Sequence, residues 1–377
     1  MSLIHSALDD LNPQQKAAVM HQGSPLLIVA GAGSGKTRVL TRRIAYLLSD
    51  RAVSPQEILA ITFTNKAAGE MKERVLDLVG NKAKLMQVST FHSACVRFLR
   101  ADAQKLGRTS TFSIYDSQDS LRLITMVAAG LEINSKVLSP RSIQAQISNA
   151  KSELIDHETY MSKAETEQER LVGQVYSEYD QRLARANAFD FDDLIGATVA
   201  LLQLFPDVKQ KYRHRFKHIL VDEYQDTNHA QYILIKELVG SEKDGLAPAE
   251  LCVVGDADQS IYAFRGATIR NIEEFERDFP TAKTILLEQN YRSTQNILTA
   301  ANSVISQNAE RREKKLWTDA GQGEPIVGYV ADNEHDEASF VALEIEKLRD
   351  EFEYKYGQMS VFYRTNNQSR AFEEVFI

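Results

Sequence analysis

Seven short apolar runs rich in Val, Ile and Leu punctuate the chain, and each turns polar or small at its end. They are PLLIVAGAG (25–33), EILAITFTN (57–65), LMQVSTFH (85–92), HILVDEYQD (218–226), ELCVVGDADQ (250–259), KTILLEQNYR (283–292) and MSVFYRTN (359–366). Continuous apolar runs of this length suit strands buried on both faces. Helix-like segments separate most of them, which predicts an α/β fold built on parallel sheets. Ligands of such sheets bind beyond the carboxyl ends of the strands, where these runs become polar.

Residues 93–212 read differently. Strand-like runs are scarce and helical patterns dominate, as in QERLVGQVYSEYDQRLARA (168–186). This predicts a helical insertion dividing a first α/β domain into residues 1–92 and 213–281. A second α/β unit is expected over 282–377. With two clear strand runs and an end inside the helical pattern SRAFEEVFI, it is expected to be incomplete.

Composition narrows the class. At 43% hydrophobic and 25% charged residues, the chain reads as an ordinary globular protein. No apolar run reaches membrane-spanning length, and MSLIHSALDDLNPQQ lacks the basic lead and apolar stretch of a secretory signal. A cytoplasmic setting is expected, with no membrane partner. The two cysteines, Cys95 and Cys252, make no disulfide framework and are expected in the core. A net charge of −8 weighs against nucleic acid until its distribution is read. Residues 332–353 carry −7 of it, with Val341, Ile345 and Leu348 at helical spacing, the mark of a solvated helix. Residues 61–100 carry +4 and also hold motifs.

AGAGSGKT (30–37) lies between an apolar strand and a helical pattern, the order of a phosphate-binding loop. Gly31, Gly33 and Gly35 permit close backbone approach, and the loop N–H groups would face phosphates at a helix N-terminus. Ala30, Gly31, Ala32, Gly33, Ser34, Gly35, Lys36 and Thr37 therefore form the candidate ATP loop. Lys36 would neutralise the β- and γ-phosphates, and Thr37 would offer its hydroxyl to Mg²⁺. Ala30 stands where the usual pattern has glycine, at a strand end where ordinary backbone angles suffice. HILVDEYQD supplies the partner carboxylates: Asp222 for Mg²⁺ and Glu223 as base for the attacking water.

With both motifs placed, the chain resembles the UvrD/Rep/PcrA group of superfamily-one DNA helicases, with a leaning to the actinobacterial branch. That family writes its loop A-x-x-G-x-G-K-T. LNPQQ, TFTNKAA, STFH, VDEYQDTN, VGDADQSIYAFRGA and LEQNYRST resemble its further motifs in order. The resemblance implies a RecA-like fold and a bacterial, nucleoid-associated motor acting with repair or replication proteins. It makes Gln15 the adenine reader, with Arg38 and Tyr291 holding the base. Arg292 would touch the γ-phosphate across a cleft, and Gln259 would sense that phosphate and couple it to DNA. It implies 3′-to-5′ travel on single-stranded DNA and at duplex junctions. The family continues past the last residue here, so unwinding by this chain alone is expected to be poor.

Single-strand binding needs aromatic platforms along a polar track. Phe63, Phe191, Tyr262 and Phe264 are the candidate platforms. Asn65, Thr90, His92 and Arg265 are candidate backbone contacts. His92 has no neighbouring His or Cys set that would suggest a metal. Two other readings stay open: the motor part of a helicase–nuclease, and a nucleotide-gated DNA-binding module that never unwinds.

Overall fold

The computed structural model describes residues 8–241, 244–262, 266–267, 270–308 and 314–377. Its strands are β1 (Leu26–Ala30), β2 (Ile58–Thr62), β3 (Gln87–Thr90), β4 (Ser113–Tyr115), β5 (Ala188–Asp190), β6 (His218–Val221), β7 (Glu250–Gly255) and β8 (Lys283–Leu287). Six of them make one sheet in the order β3-β2-β6-β7-β1-β8, with parallel neighbours throughout. The α/β class with a parallel central sheet is as the apolar runs imply.

Both faces of this sheet are covered, which is why its strands read as unbroken apolar runs. Side chains alternate between faces along a strand. Leu27, Val29, Leu59, Ile61, Ile219 and Val253 enter one core with Phe91, Phe98, Leu194 and Val199. Leu26, Ile28, Ile58, Ala60, Leu220 and Val254 enter the other with Val39, Leu40, Ile44 and Val75. The second layer comes from helices Lys36–Ser49 and Asn65–Val79, and the latter is capped by Thr64 accepting from the Ala67 N–H. The register sets Val29 beside Gly255 and Leu286, while Val221 lies beside Ile61 and Val253. The loops after β1, β6, β7 and β8 therefore leave the sheet along one edge.

The helical insertion has a core of its own, with Ile124, Val127, Ile143, Val172, Val175, Tyr179 and Leu183 fully buried. Strands β4 and β5 pair within it, and at three residues each they were too short to read from sequence. At its centre Lys151 lies 2.9 Å from Asp190, 2.7 Å from Asp193 and 3.2 Å from Asp180, and the Tyr179 hydroxyl donates to Asp190 at 2.9 Å.

Two differences from the sequence reading stand out. KTILL, expected at the head of a second unit, is hydrogen-bonded to β1 along its whole length, and the compact unit holding the sheet ends at Gly321. Burial of Ile285 and Leu287 against that sheet accounts for it. The run 359–366 forms no strand. It belongs to the unit Gln322–Ile377, where no strand is found among the described residues and Phe362 is 94% exposed. A lone extended segment leaves its backbone groups without partners, so it gains nothing by becoming a strand. That unit carries helices Glu334–Phe352 and Ser369–Phe376, and Val341, Ile345 and Leu348 are half-buried along the first. Among the described residues no helix is long and apolar enough to cross a membrane. Cys95 and Cys252 are free thiols, both buried.

Candidate nucleotide and nucleic-acid site

The loop after β1 is shaped by what cannot fit there. A Cβ on Gly31 would lie 2.2 Å from the Leu316 side chain, and one on Gly33 would lie 2.5 Å from Asn290 Nδ2. Gly33 and Gly35 have φ of +69° and +86°, the left-handed region that side chains resist. Ala30 is fully buried at the strand end, where its methyl packs into the core. The Ser34 hydroxyl donates to the Gly31 carbonyl at 2.7 Å and closes the turn. Gly35 then starts helix Lys36–Ser49 with no side-chain cap, leaving its first N–H groups aimed at the loop mouth.

The polar tails of β6 and β7 meet Lys36 there. Lys36 Nζ donates to Glu223 Oε2 at 2.8 Å and to Gln259 Oε1 at 3.3 Å. Gln225 Nε2 donates to the same Glu223 oxygen at 2.9 Å, and Gln225 Oε1 accepts from the Asp256 N–H at 2.9 Å. Glu223 holds φ 50° and ψ 46°, a left-handed conformation that is costly for a glutamate. Such strain persists only where surrounding contacts fix it, as they do here. Asp222 is 5% exposed and accepts from the Glu223 N–H at 3.0 Å. Burial, then the Glu223 charge, push its carboxyl up to about 6 against the pull of Lys36. Asp226 is likewise raised to about 6 by burial, and its Oδ1 has no hydrogen-bond partner among the described residues.

These groups suit a small hard cation. The donors are all oxygen: the Asp222 carboxylate and the Thr37 hydroxyl in the first turn of the loop helix. Among the described residues no cluster of three or more His, Cys, Asp or Glu could hold a metal alone. A Mg²⁺ bound here would draw its remaining ligands from phosphate and water, as that ion commonly does.

Residues after β8 dock onto the loop. Asn290 Nδ2 donates to the Ala32 carbonyl at 2.6 Å, and the Tyr291 N–H donates to the Gly33 carbonyl at 2.9 Å. Asn290 Oδ1 accepts from the N–H groups of Arg292 and Ser293 at 2.8 and 2.7 Å. Arg292 is thereby held against Gly33 with its side chain exposed. Tyr291 is 50% exposed, and its hydroxyl accepts from Asn12 Nδ2 at 3.0 Å. Gln15 is fully buried; its Nε2 donates to the Ser34 carbonyl at 2.9 Å and its Oε1 accepts from the Asn12 N–H at 3.2 Å. Each end of that amide has capacity for one more bond. Arg38 points its guanidinium to Asp10, pairing with its carboxylate and donating to its carbonyl at 3.1 Å.

The nucleic-acid candidates gather at the ends of β2 and β3. Phe63 and Tyr262 have ring centroids 5.1 Å apart. His92 meets Phe191 edge-on at 5.6 Å, and Phe191 is 48% exposed. Asn65 is exposed and opens its helix. Thr90 caps helix Phe91–Asp102 by accepting from the Ser93 N–H at 3.3 Å, so its side chain already has a structural task. Burial lowers the His92 pKa, which favours the neutral ring over a phosphate-pairing cation. Phe264 and Arg265 lie outside the described residues. Sequence reasoning missed Asn12, Gln225, Asp256 and Asn290. All four sit in the quoted polar strings, and their signal was position beside a candidate rather than residue type.

A parallel sheet that presents a phosphate loop, a strand-end Asp-Glu pair and a docking Asn-Tyr-Arg turn along one edge defines a RecA-like phosphate-loop nucleotide-binding protein. Family comparison places it further. The model described as UvrD/REP helicase N-terminal domain matches residues 11–280, and that of the UvrD-like helicase C-terminal domain matches residues 285–377. The chain belongs to the UvrD/REP helicase family. It is 66% identical over 375 residues to the ATP-dependent DNA helicase UvrD1 of Mycobacterium tuberculosis, covering 98% of this chain and 49% of that protein. Identity is 60% over 385 residues to UvrD1 of Mycobacterium leprae, with 100% and 50% covered. It is 51% over 374 residues to the ATP-dependent DNA helicase PcrA of Staphylococcus aureus, with 99% and 50% covered. The chain spans about half the length of the curated relatives it matches.

Proposed function

We propose that this chain is the ATP-binding part of an ATP-dependent DNA helicase that travels 3′ to 5′ on single-stranded DNA. The observation that carries the reading is the set of bonds on Lys36. Its ammonium is held by Glu223 and Gln259. A terminal phosphate arriving at the loop takes Lys36 for itself, because a charge-assisted bond to phosphate is the stronger one. Glu223 is then released to accept a proton from water, and Gln259, freed from Lys36, would meet the phosphate through the Nε2 N–H that Asp256 does not use. Arg292, held beside Gly33, adds positive charge from the turn after β8. Asp222 and Thr37 would hold Mg²⁺, which supplies charge neutralisation on the phosphates when bound. Gln15, Arg38 and Tyr291 surround the adenine end.

Gln259 stands three residues before Tyr262, whose ring meets Phe63. Nucleotide state thus has a short covalent route to an aromatic platform, and alternating grip on a strand is what directional movement needs. The relatives' names support DNA as the track. The polarity, duplex junctions as substrates, repair or replication partners and a bacterial cytoplasmic, nucleoid-associated setting rest on the family resemblance.

ATP turnover of the full-length protein with single-stranded DNA, with RNA and with neither tests this. Strong stimulation by DNA is expected. Turnover indifferent to DNA would favour a nucleotide-gated binding module. Glu223→Gln is expected to keep ATP affinity and to lower kcat by about 10²–10⁴.

A further inference from the structure

The turn after β7 holds a buried cation that the nucleotide reading does not use. Lys314 donates to Asp256 Oδ1 and lies 2.8 Å from Asp258 Oδ2, with side-chain exposures of 5% for Lys314, 2% for Asp256 and 13% for Asp258. The other Asp256 oxygen accepts from Gln259 Nε2. The Asp256 N–H donates to Gln225 Oε1 at 2.9 Å, and Gln225 Nε2 donates to Glu223 Oε2 at 2.9 Å. Lys36 donates to that same Glu223 oxygen at 2.8 Å and to Gln259 Oε1 at 3.3 Å. The bonds close a ring through Lys36, Glu223, Gln225, Asp256 and Gln259, and Lys314 is anchored to it from outside.

A ring of this kind has a direction, because an amide has a donating end and an accepting end. Gln259 turns its nitrogen to Asp256 and its oxygen to Lys36. That sense holds while Asp256 is an anion that can only accept. Asp256 is 1% exposed, and an isolated carboxylate that deep would take up a proton rather than stay charged. Protonated, it could donate to the Gln259 oxygen, and the amide would lose its fixed orientation. The ammonium of Lys314 beside it opposes this at pH values below about 8, the level to which burial and then the Lys36 charge lower its own pKa.

We infer that Lys314 is a positioning residue for Gln259: by keeping Asp256 ionised it fixes the sense of the amide that couples the phosphate loop to the turn leading into Tyr262. The inference rests on the reading of the Lys36 loop as an ATP site. It assigns Lys314 no contact with nucleotide or DNA, so its loss is expected in turnover and coupling rather than in ATP affinity.

The test is steady-state ATP turnover by the full-length protein, with and without single-stranded DNA, in parallel with thermal unfolding. Lys314→Met is expected to lower DNA-stimulated kcat by about tenfold while the KM for ATP moves less than about threefold. Lys314→Arg, which keeps the charge, is expected to retain at least about a third of wild-type kcat. Should Lys314→Met fail to fold, Lys314→Gln carries the same expectation, since it keeps a donor to Asp256 but no charge. Wild-type kcat in the neutral variants, an equal loss in kcat and ATP affinity, or a failure of Lys314→Arg to restore turnover would each overturn the proposal. Turnover that survives Lys36→Ala in the same series would overturn the ATP-site reading, and this inference with it.

Discussion

Lys151 in the helical insertion and Lys36 in the loop after β1 both face acidic side chains at hydrogen-bond distance, and both are shielded, with side chains 6% and 11% exposed. Their wiring differs. Lys151 has three carboxylates, Asp180, Asp190 and Asp193, for its three N–H groups. Burial works to lower its pKa, yet those aspartates raise it well above the ordinary lysine value. Asp190 also caps helix Phe191–Leu204, so the cluster pins helices Pro140–Ser152 and Glu167–Arg185 to the helix that carries Phe191. Lys36 uses one N–H on Glu223 and a longer one on Gln259, and its third has no partner among the described residues. Its carboxylate partner is 35% exposed. A lysine whose donors are all spent holds a fold together, whereas one with a donor in reserve and an exchangeable partner can take a ligand.

The sharpest way to break this contrast is Lys151→Met. It leaves buried aspartates without their cation, so a stability loss of about 3–5 kcal/mol is expected in urea unfolding. An unchanged unfolding curve would make the cluster something other than a structural pin. Lys36→Ala should do the reverse. Its kcat for ATP is expected to fall by about 10²–10³, while stability shifts by less than about 1 kcal/mol because Glu223 can turn to water. A large stability loss there would erase the distinction.

Phe191 links the Lys151 cluster to the candidate nucleic-acid contacts, since it follows Asp190 in the chain and stands half-exposed against His92. Phe191→Ala is expected to weaken single-stranded DNA binding by about 1–3 kcal/mol in a fluorescence titration, with nucleotide affinity little changed. Equal loss of both would point to packing. The smallest effect is a pH dependence. The folded pKa of Asp222, about 6, lies above its ordinary 3.8, so the fold favours the protonated acid. This group's contribution to stability therefore grows as pH falls from about 6 towards about 4. Its capacity to hold a cation runs the other way, and kcat/KM is expected to drop about tenfold per unit below pH 6. Added Mg²⁺ should move that midpoint to lower pH, which a profile at several Mg²⁺ concentrations would reveal.

Much of the fold was legible because burial on two faces writes an unmistakable signal. Six of the seven apolar runs hold strands, and the glycines of the phosphate loop sit where a side chain would collide. What escaped depends on pairing rather than on local pattern. KTILL looks the same at the head of a new sheet or at the edge of an old one. MSVFYRTN has the residues of a strand, but its own unit offers it no partner among the described residues. The site divides in the same way. Lys36, Asp222 and Glu223 announce themselves by spacing from a strand end. FDFDDL suggested an aromatic platform and hid the cation on Lys151, which comes from a helix 39 residues earlier. Lys314 stands in a run of charges that looks like any solvated surface, and only the folded chain brings it to Asp256.

Cys95 and Cys252 are sealed within the two cores, and burial pushes their thiols up to about 12 and about 11. At neutral pH neither offers a thiolate, and neither is within reach of a reagent. For this chain that gives spectroscopists a silent background: a maleimide dye will react with a cysteine introduced at the surface and leave the native pair alone. Movement of the Phe191 helix against the phosphate loop could then be followed by energy transfer without first removing any natural sulfur.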